Sequence, residues 1–192
     1  MPPAAPQRLE GDLHRFVRVV YGIDPAVPSR ERRLAWRYRG PMPSELEIAP
    51  VTVEEFERLL PLIAAYQRFY EVEVIDEDRN RAFFRRFLGP SEDGLLLGAR
   101  REGQLVGYAC LYWHFSSLEA CECVLMNDLF VSETARGEGI GRALIEATAE
   151  VARERGVPFV EWSTAPDNQT AQRLYDSTGA ERSEWFSYEL RV

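Results

Sequence analysis

Apolar residues recur with two different periods along the main part of the chain, and the change of period marks the predicted helices and strands. Residues 46–51 form a short apolar run that predicts a strand. Thr52 is followed three residues later by Glu55, which is the pattern of a capping box at the start of a helix. The predicted buried face of that helix consists of Phe56, Leu59, Leu60, Ile63 and Tyr66. A second helix is predicted over 76–88, with Asp76 as its N-cap.

From Gly94 onward the pattern is mainly that of strands. The predicted strands cover 95–100, 104–115, 120–131, 157–164 and 185–192. One helix begins at residue 140, between the third and fourth of these strands, and another is capped by Asp167 or Asn168. Because a helix joins the third strand to the fourth, these two should run parallel. We therefore expect an α/β (α+β) fold with a mixed, mostly antiparallel sheet flanked by helices.

Residues 1–45 differ in composition from residues 46–192, so we interpret them as an N-terminal extension to a single domain. A helical apolar spacing predicts a short helix over 11–21. The stretch 24–44 is rich in Pro and Arg and is predicted to be a basic arm. The arm either contacts a phosphate or a partner, or it is solvated and docks its aromatic residues on the domain.

Charge and composition narrow the classes of function. The formal net charge is −8, which argues against nonspecific nucleic-acid binding and favours a cationic substrate. The chain contains no lysine, which excludes a Schiff-base mechanism and a P-loop lysine. No apolar run approaches the length of a membrane span, so we expect a soluble, cytoplasmic protein with no membrane partner. Cys110, Cys121 and Cys123 match no zinc spacing, and we expect reduced thiols and no metal site.

A glycine-rich turn joins the strand 120–131 to the helix that begins at residue 140. Gly137, Gly139 and Gly141 allow the backbone to turn sharply and to approach a ligand closely. The helix that follows points its unpaired N–H groups at the same place, which predicts a pyrophosphate site. A P-loop would need Lys after Gly141, where Arg142 stands, and the glycine spacing of a dinucleotide fingerprint is also absent.

This loop and a later helix together resemble the GNAT superfamily of N-acetyltransferases. The pyrophosphate signature of the superfamily is Gln/Arg-x-x-Gly-x-Gly/Ala, and here Arg136, Gly139 and Gly141 match it. The helix that follows has the pattern Asn-x-x-Ala-x-x-x-Tyr from Asn168 to Tyr175. The resemblance implies acetyl-CoA as co-substrate, and strands 120–131 and 157–164 that splay apart at the cofactor site.

The resemblance also implies roles for individual residues in binding acetyl-CoA. Main-chain amides of the loop would hold the pyrophosphate, and main-chain groups of the strand before it would pair with the pantetheine arm. Asn168 would bind the cofactor arm. The implied cofactor-binding residues are Leu129, Phe130, Val131, Arg136, Gly137, Glu138, Gly139, Ile140, Gly141, Arg142 and Asn168.

Transfer of an acetyl group to an amine needs an acid near the leaving sulfur and an acceptor for the proton of the amine. The resemblance places Tyr175 near the sulfur as the proton donor. Diamine acetyltransferases share the pattern of residues 128–131 but carry a glutamate where this chain has Asn127. The base is therefore open among Asp128, which we take as the candidate, Glu122, Glu161 and a water chain.

Residues before the strand meander are candidates for binding the acceptor amine. Tyr66, Phe69, Tyr70 and Glu71 combine aromatic faces with negative charge, which suits an aliphatic ammonium, although such residues are equally typical of a core and a solvated face. We predict direct acetyl transfer from acetyl-CoA to a primary amine of a small molecule. The alternatives are a protein or peptide N-terminal acetyltransferase and a non-catalytic acyl-CoA-binding module. The resemblance also implies a homodimer.

Overall fold

The computed structural model describes residues 36–40 and 45–192, and the elements below belong to one compact unit of residues 37–192. The helix predicted over 11–21 and most of the arm 24–44 lie outside the described residues. Within the arm, Tyr38 is buried, and its hydroxyl donates a hydrogen bond to Glu146 Oε2 at 2.7 Å. Its N–H donates to the carbonyl of Ile48 at 3.0 Å. The contacts of Tyr38 favour an arm that docks an aromatic residue on the domain.

The sheet has five strands, whose spatial order follows their order in the chain. They are β1 (Leu46–Pro50), β2 (Gly94–Arg101), β3 (Gln104–Ser116), β4 (Cys121–Val131) and β5 (Val160–Glu161). The first four strands pair antiparallel, and β5 pairs parallel to β4. This arrangement confirms the predicted mixed, mostly antiparallel sheet and its parallel pair.

Four helices flank the sheet: α1 (Phe56–Phe69), α2 (Glu77–Phe84), α3 (Ile140–Arg155) and α4 (Gln169–Asp176). The predicted capping box precedes α1, because the N–H of Thr52 donates to Glu55 Oε2 at 3.0 Å and the N–H of Glu55 donates to Thr52 Oγ1 at 3.3 Å. Asp76 accepts a hydrogen bond at the start of α2, and Asn168 does so at the start of α4. The second helix ends at Phe84, earlier than predicted, and a 3₁₀ turn follows it.

The main hydrophobic core lies between one face of the sheet and helices α1 and α2. The first helix contributes the predicted Phe56, Leu59, Leu60 and Ile63, and α2 contributes Phe84. The sheet contributes Leu96, Tyr108, Cys110 and Phe130. The third helix packs on the other face, where its Thr148 donates a weak hydrogen bond to the sulfur of Met126 in β4. The two helical layers therefore leave β4 in the middle of the fold, with both of its faces covered.

The strand predicted over 185–192 is wrong. Residues 180–192 have no regular secondary structure, and Trp185, Phe186, Tyr188 and Leu190 are 84–93% exposed. An alternating pattern states which side chains would share a face, but a strand forms only where another edge supplies hydrogen bonds. The strand predicted over 157–164 is likewise reduced to the two residues of β5.

Candidate active site

A β-bulge in β4 determines which side chains face α1. Cys110 of β3 is opposite Asp128, whereas the next residue, Leu111, is opposite Met126. Asn127 is therefore the extra residue of the bulge. In a regular strand, Met126 and Asp128 would share a face, because side chains alternate with period two. The bulge instead places Met126 toward α3 and Asp128 on the face that packs against α1.

Asp128 is a carboxylate in a largely apolar environment. The residue is 5% exposed, and burial raises its pKa from 3.8 to about 6. Hydrogen bonding from the hydroxyl of Tyr66 and from the amide of Asn127 opposes this rise, and Asn127 Nδ2 lies 3.0 Å from Asp128 Oδ1. A carboxylate whose pKa is close to neutrality is suited to accepting a proton from a bound amine.

A cavity of about 310 Å³ opens beside Asp128, between α1, α2 and strands β3 and β4. Its aromatic wall consists of Tyr66, Phe83, Phe84 and Tyr112. Asp128 supplies a negative charge, and Arg79 of α2 supplies a positive one. A mostly apolar cavity with a few polar groups is typical of a site for a small molecule.

Tyr175 lies on α4 and stands close to the residues around Asp128. Its ring packs edge-on against Trp162, with 5.5 Å between the ring centroids. Burial, and then the nearby Tyr70, raises the pKa of Tyr175 to about 12, so its hydroxyl keeps its proton at neutral pH. Burial is also the largest cause of the raised pKa of Tyr66, and Asp128, Tyr70 and Tyr175 all add to it. Tyr66 is thus in electrostatic contact with both catalytic candidates.

The glycine loop presents unpaired main-chain donors at the start of α3. Gly137 has φ +83° and Gly139 has φ +81°, which is a backbone conformation that side chains other than glycine rarely adopt. A Cβ atom on Gly141 would lie 3.0 Å from the end of the Leu174 side chain of α4, so a larger residue there would require Leu174 to shift. The first helical hydrogen bond is donated by Ala143 to the carbonyl of Gly139. The N–H groups of 137–142 have no partner within the described residues. This group of donors, here called the main-chain anion site, is of the kind that attracts anions at helix N-termini.

The charged side chains of this loop are held by the protein itself. Glu138 forms an ion pair with Arg101. The guanidinium of Arg142 donates to the carbonyl of Ser177 at 3.0 Å and to its hydroxyl at 2.6 Å. Glu138 is therefore neutralised by Arg101, whereas Arg142 uses its Nη2 for both hydrogen bonds and retains its positive charge beside the N–H groups of the backbone. Ile140 contributes a buried side chain and one of the free N–H groups.

The strands β4 and β5 pair over a short stretch and are separate at the end of β4 that leads into the glycine loop. Their ladder consists of two pairs, Val124 with Val160 and Leu125 with Glu161. Beyond Leu125 the strand β4 continues to Val131 without β5 beside it. The outer edge of β4 is therefore left open next to the main-chain anion site, which is the predicted splayed arrangement.

Main-chain groups of β4 point alternately toward β3 and toward this open edge. The N–H of Ser132 donates to the carbonyl of Val106 in β3 at 2.8 Å. Because main-chain groups along a strand point to alternate sides, the N–H and carbonyl of Phe130 also point toward β3. The main-chain groups of Leu129 and Val131 then face the open edge. Arg136 occupies the carbonyl of Val131 through its Nε at 3.1 Å, so the N–H of Val131 and both main-chain groups of Leu129 are left without a partner in the described part of the chain.

The predicted acceptor residues lie at two cavities rather than one. Tyr66 lines the cavity beside Asp128. A second cavity of about 520 Å³ lies between the end of α1 and the start of α4, and its lining includes Phe69, Tyr70, Glu71 and Asn168. Phe69 also stacks with Arg136, whose guanidinium carbon lies 5.8 Å from its ring centroid. The second cavity thus connects the predicted acceptor residues with the predicted cofactor residues.

Two of the alternative bases do not line the cavity beside Asp128. Glu122 and Asp128 are opposite β3 residues five positions apart, which corresponds to about 17 Å along a strand, and Glu122 pairs with Arg155 at 3.5 Å. Glu161 is opposite Leu125 in β4, and its carboxylate is directed to His114 at 3.6 Å. The geometry therefore favours Asp128.

Several residues at the cavity were missed by sequence reasoning. Arg79 and Phe83 lie on α2, and Tyr112 lies on β3, and their local patterns indicate only a helix and a strand. Tyr112 shares a face with Tyr108, four positions earlier in β3, and this alternation is the one local signal available. The position of α2 over the sheet is a tertiary feature, so no local pattern could assign Arg79 to this site.

Comparison with known proteins identifies the family. Residues 59–180, more than half of the chain, match the acetyltransferase (GNAT) family. The chain belongs to this family. It is therefore an acyltransferase, and its family uses acetyl-CoA.

Individual relatives and a solved structure are similar over most of their own length. A D-amino-acid N-acetyltransferase of Saccharomyces cerevisiae is 38% identical over 112 residues, which cover 57% of this chain and 69% of the yeast protein. A thialysine N-epsilon-acetyltransferase of Bos taurus is 28% identical over 134 residues, which cover 65% of this chain and 75% of the bovine protein. A crystal structure of "a probable acetyltransferase" superimposes with a TM-score of 0.67 at 28% identity and covers 76% of this chain and 97% of that one.

No three side chains of the metal-ligating types converge anywhere in 36–40 or 45–192. No helix in the described part of the chain is both long enough and apolar enough to cross a bilayer.

Proposed function

We propose that the protein transfers an acetyl group from acetyl-CoA to a primary amine of a small molecule by direct attack of the amine. The observation that carries this proposal is the buried carboxylate of Asp128 at a cavity of about 310 Å³, with Tyr66 in electrostatic contact with both Asp128 and Tyr175. The names of the relatives support a small amine, since they act on D-amino acids and on thialysine.

The free main-chain groups supply the binding site for the cofactor. The N–H groups of 137–142 would bind the pyrophosphate, where the positive end of the α3 dipole adds to the attraction. The pantetheine arm would pair with the N–H of Val131 and the carbonyl of Leu129 at the open edge of β4, which leaves the N–H of Leu129 for the reacting carbonyl. Asn168 lines the second cavity, where its side chain can contact the same arm.

The proton transfers follow from the positions of the two catalytic candidates. The acceptor enters as an ammonium with a pKa of about 10.4, and Asp128 accepts its proton to give the neutral amine. The nitrogen then forms a bond to the thioester carbon, while the N–H of Leu129 stabilises the negative oxygen. The carbon–sulfur bond breaks, and the hydroxyl of Tyr175 gives its proton to the leaving sulfur. The nitrogen loses its second proton to the tyrosinate, directly or through water, which restores the hydroxyl, and the proton on Asp128 passes to solvent.

A panel of small amines with acetyl-CoA, read by release of free thiol, tests the proposal. We expect turnover of some primary amines and a loss of about 10²- to 10⁴-fold in kcat for Tyr175→Phe, with little change in affinity for acetyl-CoA. Tyr188→Phe is the matched control, because Tyr188 is exposed, and it should leave kcat unchanged. Binding of acetyl-CoA without turnover of any amine would instead support an acyl-CoA-binding module.

The oligomeric state and the location of the protein complete the proposal. We infer a homodimer, because Trp185, Phe186, Tyr188 and Leu190 expose apolar surface that a second copy can cover. Light scattering should give the mass of a dimer, and deletion of 185–192 should shift it to a monomer. We further propose a cytoplasmic location, with which the free thiols of Cys110, Cys121 and Cys123 are compatible.

A further inference from the structure

Arg79 is the positively charged residue of the cavity beside Asp128, and its charge is not neutralised. Its Nη2 donates one hydrogen bond, to the carbonyl of Val74 at 3.2 Å. Within the described residues, no carboxylate lies at ion-pair distance from its guanidinium. By contrast, Arg81 and Arg86, its neighbours in the chain, are both paired with carboxylates. A guanidinium has five N–H donors, so most of those of Arg79 are available to a ligand.

The cavity therefore combines one cation and one anion with an aromatic wall. Arg79 lies on α2 and Asp128 lies on β4, and both line the same space of about 310 Å³. Phe83 and Phe84 add apolar surface to that space. A ligand that matches this distribution carries a positive group, a short aliphatic chain and a negative group.

We infer that the acceptor is an amino acid, with its reacting amine at Asp128 and its carboxylate bound by Arg79. This inference rests on the proposed acetyl transfer and adds the class of acceptor. Guanidinium and carboxylate groups form paired, charge-assisted hydrogen bonds, which give both affinity and orientation. Arg79 acts as a specificity residue, because it contacts the acceptor away from the reacting nitrogen.

Free lysine and 1,5-diaminopentane form a matched pair of acceptors, because they differ only in the carboxylate. We expect the wild-type protein to acetylate lysine with the higher kcat/KM. Arg79→Met should lower kcat/KM for lysine by about 10- to 100-fold, the usual effect of losing a hydrogen-bonded charge, chiefly by raising KM. The same variant should leave the value for 1,5-diaminopentane within about twofold. The kcat/KM of Arg79→Lys for lysine should lie between those of the wild-type protein and Arg79→Met, because lysine keeps the positive charge but lacks the planar, forked guanidinium.

Arg58→Met is the control variant, because Arg58 is exposed on α1 and does not line the cavity. This variant should leave kcat/KM unchanged for both lysine and 1,5-diaminopentane. Calorimetric titration of lysine into the protein saturated with CoA gives a readout besides turnover, and Arg79→Met should weaken this binding. An equal effect of Arg79→Met on both acceptors, or no effect on lysine, would overturn the carboxylate site while the proposed function stands. Turnover of no amine by the wild-type protein would refute the proposed function itself.

Discussion

Replacing Asp128 with Asn should remove most of the activity and at the same time stabilise the fold at neutral pH. Burial raises the pKa of this carboxyl from 3.8 to about 6. A shift of about two pKa units corresponds to about 3 kcal/mol of unfavourable free energy for the charged form in the folded protein. Asn keeps an oxygen that can accept from Tyr66 and Asn127 but carries no charge, so this cost disappears.

The pH dependence of the stabilisation has a definite sign. The folded pKa is raised, so the folded state binds the proton more tightly than the unfolded state does. Below a pH of about 4, the carboxyl of Asp128 is protonated in both the folded and the unfolded state, so it is uncharged, as the amide of Asn is. Between about 4 and 6 the carboxylate begins to destabilise the folded protein, and above 6 the cost is complete. The Asn variant should therefore match the wild-type protein at acidic pH and exceed it by up to about 3 kcal/mol at pH 7.5.

Two measurements on the same variant test this reasoning. Urea unfolding at pH 7.5 and at pH 4 gives the two free energies of unfolding, and thiol release gives kcat. We expect kcat to fall by about 10²- to 10⁴-fold, the usual contribution of a general base. Glu119→Gln, which neutralises an exposed carboxylate, is the control and should change neither quantity. A loss of stability that is equal at both pH values would show that Asp128 is a structural acceptor and would refute its role as a base.

Two other perturbations test the anion site and the packing of α1. Gly139→Ala should weaken the affinity for CoA several-fold, because alanine at φ +81° displaces the free N–H groups, and isothermal titration measures this affinity. Gly103→Ala, at φ +74° in a distant turn, is the control: it should lower stability similarly without changing the affinity for CoA. Hydrogen bonds from Arg100 lower the pKa of Glu55 from 4.5 to about 2. Ionised Glu55 therefore stabilises the folded protein at a pH above 4.5, and this contribution to the free energy of unfolding is lost as the pH falls toward 2. Glu55→Gln should therefore lower the free energy of unfolding by about 3 kcal/mol at pH 7, with a difference that shrinks toward pH 2; a pH-independent difference would contradict the charge argument.

Most elements and the main-chain anion site could be predicted from local patterns. The capping box of Thr52 and Glu55, the caps at Asp76 and Asn168, and the glycine turn all depend on residues within a few positions of one another. Such features involve the backbone and its nearest side chains, so adjacent residues are enough to specify them. The motif around Gly139 also led to the correct family for the same reason.

The acceptor cavity could not be predicted in this way. The bulge at Asn127 brings Asp128 to the face of α1, and it exists because β3 and β4 pair with a shift in register. Arg79 reaches the same cavity only because α2 packs over the sheet. The alternation of 185–192 failed as a predictor of a strand, since that segment pairs with no strand of the described sheet. Periodicity in the sequence shows which side of a helix or strand is apolar, whereas strand pairing and helix packing decide which elements meet. The two charges of this cavity, those of Asp128 and Arg79, come from elements far apart in the chain, so only the tertiary structure brings them together.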